Sequence, residues 1–168
     1  MQAGKTTCAF RLAERHGYVL RALADPIKEI ARSGFGWDGA KDARGRRLLQ
    51  QLGSAGRAYD PAIWLRRLDA WLAAHPATPV VVDDVRLRAE VEHLRGLGFL
   101  IVVVERPGPE PVGDAALMRH ETETELASVE PDVRIVNDGS VADLHRALES
   151  GLAPWLGPPG GVADRPVR

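Results

Sequence analysis

One run of side chains constrains the fold of this chain more than any other. Pro79-Val80-Val81-Val82-Asp83-Asp84 is a string of β-branched residues closed by two carboxylates. Its hydrophobicity is continuous rather than alternating, which suits a strand covered on both faces, as in a parallel sheet. Leu100 to Val104 reads as a second buried strand, and Val133-Arg134-Ile135-Val136 as a third, closed by Asn137-Asp138-Gly139. Tyr18 to Leu23 is a further short candidate.

Helical spacing fills the intervals. Thr6 to about His16 places Cys8, Ala9, Leu12 and Ala13 on one face. Asp25-Pro26 supplies a cap followed by proline at the first helical position. Ile27, Ile30 and Ala31 form the stripe of that helix, and Gly34 is expected to stop it. Arg46 to about Ala55 carries Leu48, Leu49 and Leu52 inward, after a turn-rich stretch from Gly36 to Gly45. Asp60-Pro61 repeats the capping signature before Trp64, Leu68 and Trp71. Leu87, Val91, Leu94 and Leu97 mark the next helix, and Ser140 with Asp143 resembles a capping box ahead of Val141, Leu144 and Leu148. This alternation predicts an α/β fold: a parallel sheet with helices on both faces.

The motif with the most chemistry is Gly4-Lys5-Thr6-Thr7, the second half of a phosphate-binding loop. In such a loop, backbone N–H groups at the start of a helix wrap phosphate. The lysine neutralises β- and γ-phosphate oxygens, and the next hydroxyl serves Mg²⁺. The loop's opening glycine and the strand that feeds it would fall ahead of Met1. The expectation is that the first strand is missing from this chain. Either the true start lies upstream or the chain is shortened and binds nucleotide poorly.

Charge and composition exclude other classes. With 22 basic and 23 acidic side chains in 168 residues, the net charge is −1. That argues against a bulk nucleic-acid binder or a polybasic membrane protein. No apolar run approaches the roughly 18 residues of a transmembrane helix, and no signal peptide is evident. The single cysteine, Cys8, has no internal partner and reads as a small buried residue. A cytoplasmic location is expected. The Gly/Pro-rich end, 151–168, reads as a flexible tail.

Three clusters are candidates for a site. Asp83 and Asp84 close a strand, so they open onto the edge where a phosphate loop lies. Asp84 could organise Mg²⁺ or orient a hydroxyl, and Arg86 could contact a transferring phosphate. Either could equally be a solvated turn and a surface ion pair. Arg47, Gln50, Gln51 and Ser54 share one helical face suited to a phosphate and a base edge; a solvated amphipathic helix explains them as well. Asp25 reads as a cap on local grounds, and Lys28 is ambiguous. The segment from Arg106 to about Glu125 holds Arg119 and His120 and suits a basic flap that excludes water. A metal reading of His120 is set aside for want of a second histidine.

The order of these pieces resembles the bacteriophage-type deoxynucleoside monophosphate kinases, within the nucleoside monophosphate kinase-like P-loop fold. The matching segments are AGKTT at 3–7, ADPIKEIA at 24–31, FGWDGAKDARGRRLLQQLG at 35–53 and DPAIW at 60–64. VVVDDVR at 80–86, VVVERP at 102–107, HETETEL at 120–126 and NDGSVADLH at 137–145 follow. The resemblance implies a kinase domain over 1–150, with a lid at about 106–125, and transfer of phosphate from ATP to a deoxynucleoside monophosphate. It implies that Ala3, Gly4, Lys5, Thr6 and Thr7 hold ATP, with Thr6 and Asp84 on Mg²⁺. It assigns Asp25, Lys28, Arg47, Gln50 and Trp64 to the acceptor. Asp84 and Arg86 fall between the nucleotides, and Arg106 and Arg119 act from the lid. Expected partners are small-molecule nucleotides, not nucleic acid or membrane, with a homodimer left open. A kinase of another small acceptor, such as dephospho-coenzyme A, and an inactive nucleotide-binding remnant stay open as alternatives.

Overall fold

The computed structural model describes residues 3–40, 42–107 and 129–156. Residues 108–128, with Arg119 and most of the expected lid, lie outside that set, as does the tail from 157 on. In chain order the elements are α1 (Lys5–His16), β1 (Val19–Arg21), α2 (Asp25–Phe35), α3 (Ala43–Tyr59), α4 (Ile63–Ala74), β2 (Val80–Val82), α5 (Arg88–Gly96), β3 (Val102–Glu105), β4 (Val133–Val136) and α6 (Val141–Leu152). The chain divides into two units: residues up to Leu20 with those from Ala77 onward, and Arg21–Pro76.

The first unit carries the sheet, in two pieces. β1 pairs with β2, and β3 with β4. The second pair is parallel, with Val102 opposite Val133 and Glu105 opposite Val136. Alternation along β4 buries Val133 and Ile135 and turns Arg134 outward, where it forms an ion pair with Glu105. Cys8 and Leu12 from α1, Leu144, Leu148 and Leu152 from α6, and Val104, Val133 and Ile135 from the strands make one apolar cluster. Gly17, at φ +71, closes α1 in a left-handed turn that few other residues adopt. Ser140 and Asp143 cap α6 reciprocally, as the sequence suggests. Leu152 lies in this core, so ordered packing continues past residue 150.

Two expectations about burial fail for physical reasons. Val81 and Val82, and Val102 and Val103, are half-buried rather than enclosed. Among the described residues no strand joins β2 to β3, so each of these strands is paired along one edge only. Val141 is exposed because it sits in the first turn of α6, before the helix has reached the core.

The second unit is helical. In α2, Ile27 and Ala31 are buried, whereas Ile30 faces outward, and the stop is Gly36 at φ +64 rather than Gly34. The cap is Ala24, not Asp25; the Asp25 carboxylate accepts instead from the Ala22 N–H at 2.9 Å. α3 starts three residues earlier than Arg46 because Asp42 caps it, accepting from the Gly45 N–H at 2.7 Å. Trp64 of α4 is buried against α3: its indole N–H donates to the Gly53 carbonyl at 3.2 Å, and its ring lies over Gly56. A Cβ on Gly56 would meet that ring at 2.2 Å.

Candidate active site

In the first unit, α1 begins at Gly4, whose φ of +103 turns the backbone into the helix. A Cβ there would sit 2.8 Å from Asn137 Nδ2 and 2.9 Å from Leu144 Cδ2, so the position has no room for a side chain. Asn137 is buried and ties this turn down. Its Nδ2 donates to the Ala3 carbonyl at 2.8 Å, and its backbone N–H donates to Glu105 at 2.7 Å. The end of β4 thereby holds the start of α1. Lys5 and Thr6 stand exposed, Thr7 half-buried, on a helix N-terminus whose free N–H groups favour an anion.

Thr6 Oγ1 donates to Asp83 Oδ2 at 2.7 Å. The structure brings these two together across 77 positions of sequence. Asp84 follows, half-buried, and Arg86 is exposed with its backbone N–H donating to Glu90 at 2.8 Å. Arg106, just past β3, is exposed. A hydroxyl beside a carboxylate is a hard oxygen donor set. It fits Mg²⁺, which keeps several waters and takes few protein ligands. Among the described residues no group of three or more His, Cys, Asp or Glu forms a closed metal cage.

Cys8 is buried one turn behind this loop, and burial pushes its thiol up to about 11. It packs in the apolar cluster with Leu12, Leu144 and Leu148.

In the second unit, Asp25 Oδ1 pairs with Lys28 Nζ at 2.9 Å, both partly buried, so the carboxylate fixes the ammonium in place. Arg47 and Gln50 are exposed on α3. Trp64, expected at the acceptor, is spent on packing and supports that helix from behind.

Sequence reasoning missed two features. Asn137 looked like a strand-ending turn; only the fold reveals that its amide anchors Ala3. Arg21 was absorbed into a strand. Its guanidinium lies 4.7 Å from the centroid of Trp71, which stacks on His75 at 4.2 Å, and its buried Nε has no hydrogen-bond partner.

Comparison with known proteins gives the family. The family model described as deoxynucleotide monophosphate kinase matches residues 41–148. A putative deoxynucleotide monophosphate kinase of Acanthamoeba polyphaga mimivirus is 26% identical over 184 residues, covering 88% of this chain and 90% of that protein. The deoxynucleotide monophosphate kinase of Escherichia phage RB69 is 30% identical over 112 residues, covering 64% of this chain and 44% of that one. An uncharacterized protein of Ictalurid herpesvirus 1, ORF77, is 31% identical over 116 residues, covering 67% of this chain but 48% of its own. The family match takes in α3 with Arg47 and Gln50, the Asp83–Asp84 strand end and the Asn137 anchor. This chain belongs to the deoxynucleotide monophosphate kinase family.

Proposed function

We propose that the protein transfers the γ-phosphoryl group of ATP to a deoxynucleoside monophosphate, giving ADP and the deoxynucleoside diphosphate. The observation that carries this reading is the opening of α1: a left-handed Gly4, an exposed Lys5, and Thr6 bonded to Asp83 at 2.7 Å. The backbone N–H groups from Gly4 to Thr7 cradle ATP phosphates, and Lys5 neutralises their charge. Thr6 holds Mg²⁺ with the strand-end carboxylates, Asp83 through the hydroxyl it already meets and Asp84 beside it. Bound there, the metal screens charge on the phosphates.

Such a transfer demands little covalent chemistry from the protein; alignment and charge stabilisation do the rest. Arg86 and Arg106, with Arg119, supply planar donors for the transferring group. Asp25, Lys28, Arg47 and Gln50 hold the acceptor, Lys28 being pre-set by its carboxylate partner. The fold consistent with this reading is a three-layer P-loop sheet with helices on both faces, and the setting is cytoplasmic.

Lys5→Ala tests the assignment. In a coupled ADP-release assay its turnover should fall at least ~10²-fold, as expected for losing a main charge-stabilising contact. The circular dichroism spectrum should not change. Full activity in this variant would refute the reading.

A further inference from the structure

Asn137 is out of place as a turn residue. A turn asparagine bonds to its own neighbours. Asn137 is 7% exposed, and its side chain reaches across 134 positions of sequence to the Ala3 carbonyl. Leu144, a member of the apolar cluster, lies beside it: a Cβ on Gly4 would meet both residues. Burying an amide at such a place costs free energy that a leucine of similar size would not. The strand does not need the side chain either. The end of β4 is joined to the end of β3 through the Asn137 backbone, whose N–H donates to the Glu105 carbonyl at 2.7 Å. That backbone bond fixes where the side chain starts, and the bond from Nδ2 at 2.8 Å fixes one peptide group of the phosphate loop.

We infer that Asn137 is a positioning residue for the phosphate loop: by holding the Ala3 carbonyl it aims the Gly4 N–H at the phosphates of ATP. The inference rests on the phosphate-binding reading above and adds to it the side chain that sets the loop's first donor. The Ala3–Gly4 peptide is trans. Its C=O and N–H therefore point opposite ways across one rigid plane. With the carbonyl drawn to Asn137, the N–H turns away from the buried amide. Among the described residues nothing accepts from it. It joins the free N–H groups of the first turn of α1, the set that binds phosphate at a helix start.

The chemistry of the side chain decides this, not its size alone. Ala3 offers an acceptor, and Nδ2 is the donor that an asparagine side chain has to give it. Aspartate has the same shape but sets an acceptor against an acceptor, which drives the carbonyl away and rotates the peptide plane. Leucine neither holds the carbonyl nor repels it. Gly4 belongs to the same device, because its φ of +103 and missing Cβ let the amide come close. Phosphate affinity should therefore fall in the order Asn, Leu, Asp at this position.

The test uses inorganic tripolyphosphate with Mg²⁺ as the probe and follows the Gly4 amide by nitrogen-15 NMR. In the parent chain that amide proton should move downfield and saturate. Asn137→Leu should abolish the Gly4 shift. It should also weaken tripolyphosphate and ATP about 10- to 100-fold, the range for losing a hydrogen bond to a charged group. Affinity for a deoxynucleoside monophosphate should stay within about twofold, since no proposed acceptor contact lies in this loop. Hydrogen exchange along β4 should match the parent, because the bond to Glu105 is made by backbone. Asn137→Asp should weaken tripolyphosphate and ATP further; if it does not fold, Asn137→Leu and the parent's Gly4 signal carry the test. A Gly4 amide that ignores tripolyphosphate in the parent would overturn the inference. So would an Asn137→Leu chain that keeps the Gly4 shift and its ATP affinity, or one that loses ATP and monophosphate alike. A parent whose Gly4 amide takes tripolyphosphate but which phosphorylates no monophosphate would uphold this inference and remove the kinase reading, so the two fail separately.

Discussion

At the scale of single residues, the site is held by hydrogen bonds that leave little choice of geometry. Thr6 has one hydroxyl hydrogen, and it goes to Asp83. That leaves the hydroxyl lone pairs free for a cation and fixes where they point. Asp83→Asn keeps an acceptor for Thr6 but removes the charge. Activity at limiting Mg²⁺ should fall about 10- to 100-fold, the range for losing a ligand's orienting partner. Raising Mg²⁺ should restore part of it. A magnesium titration of initial rates checks this; an unchanged midpoint would remove Asp83 from the metal's surroundings. The helix that opens at Gly4-Lys5-Thr6-Thr7 was legible from the apolar spacing of Cys8, Ala9 and Leu12. The choice between Asp83 and its neighbour Asp84 was not. Which of two adjacent carboxylates faces a hydroxyl depends on the phase of the strand, and a run of three valines does not reveal that phase.

At the scale of elements, α1 and α6 are clamped on their outer surface as well as through the core. Glu149 of α6 accepts from Arg11 at 3.0 Å and from His16 at 2.9 Å, with Arg15 Nε at 3.4 Å. Partial burial alone would push its carboxyl up. Hydrogen bonds from His16 and Arg11, and their charges, outweigh that and leave it below the usual range. A carboxylate lowered in the folded state adds stability above its unfolded pKa, about 4.5, which is lost as pH falls through the folded value. Glu149→Gln should cost about 1 kcal/mol at pH 7, given the solvent around the pair. Urea unfolding should show the gap to the parent closing as pH drops below about 4. A gap that persists at pH 3 would mean that shape, not charge, makes the clamp. Element identity was legible from apolar spacing, as in Cys8, Ala9 and Leu12 or Leu144 and Leu148. The starts of α2 and α4 were not, since Asp25 and Asp60 serve nearby N–H groups in ways that mimic caps; Asp60 accepts from Ala62 at 3.0 Å.

At the scale of the whole molecule, the proposed roles sort by unit. Lys5, Thr6 and Asp83 belong to the sheet-bearing unit, and Asp25, Lys28, Arg47 and Gln50 to the helical one. Variants in the two groups should therefore weaken different ligands. Arg47→Ala removes one exposed guanidinium from α3 and leaves the helix intact, because the packing there is made by Gly53 and Gly56 against Trp64. A hydrogen bond to a charged group contributes about 1.5–3 kcal/mol, so monophosphate affinity should drop about 10- to 100-fold. Its affinity for ATP should stay within about twofold, since the two ligands share no proposed contact at that position. Lys5→Ala should show the converse. Calorimetric titration of each variant with each nucleotide reads the pattern directly. If Arg47→Ala weakened ATP and left the monophosphate untouched, the assignment of α3 to the acceptor would have to be reversed.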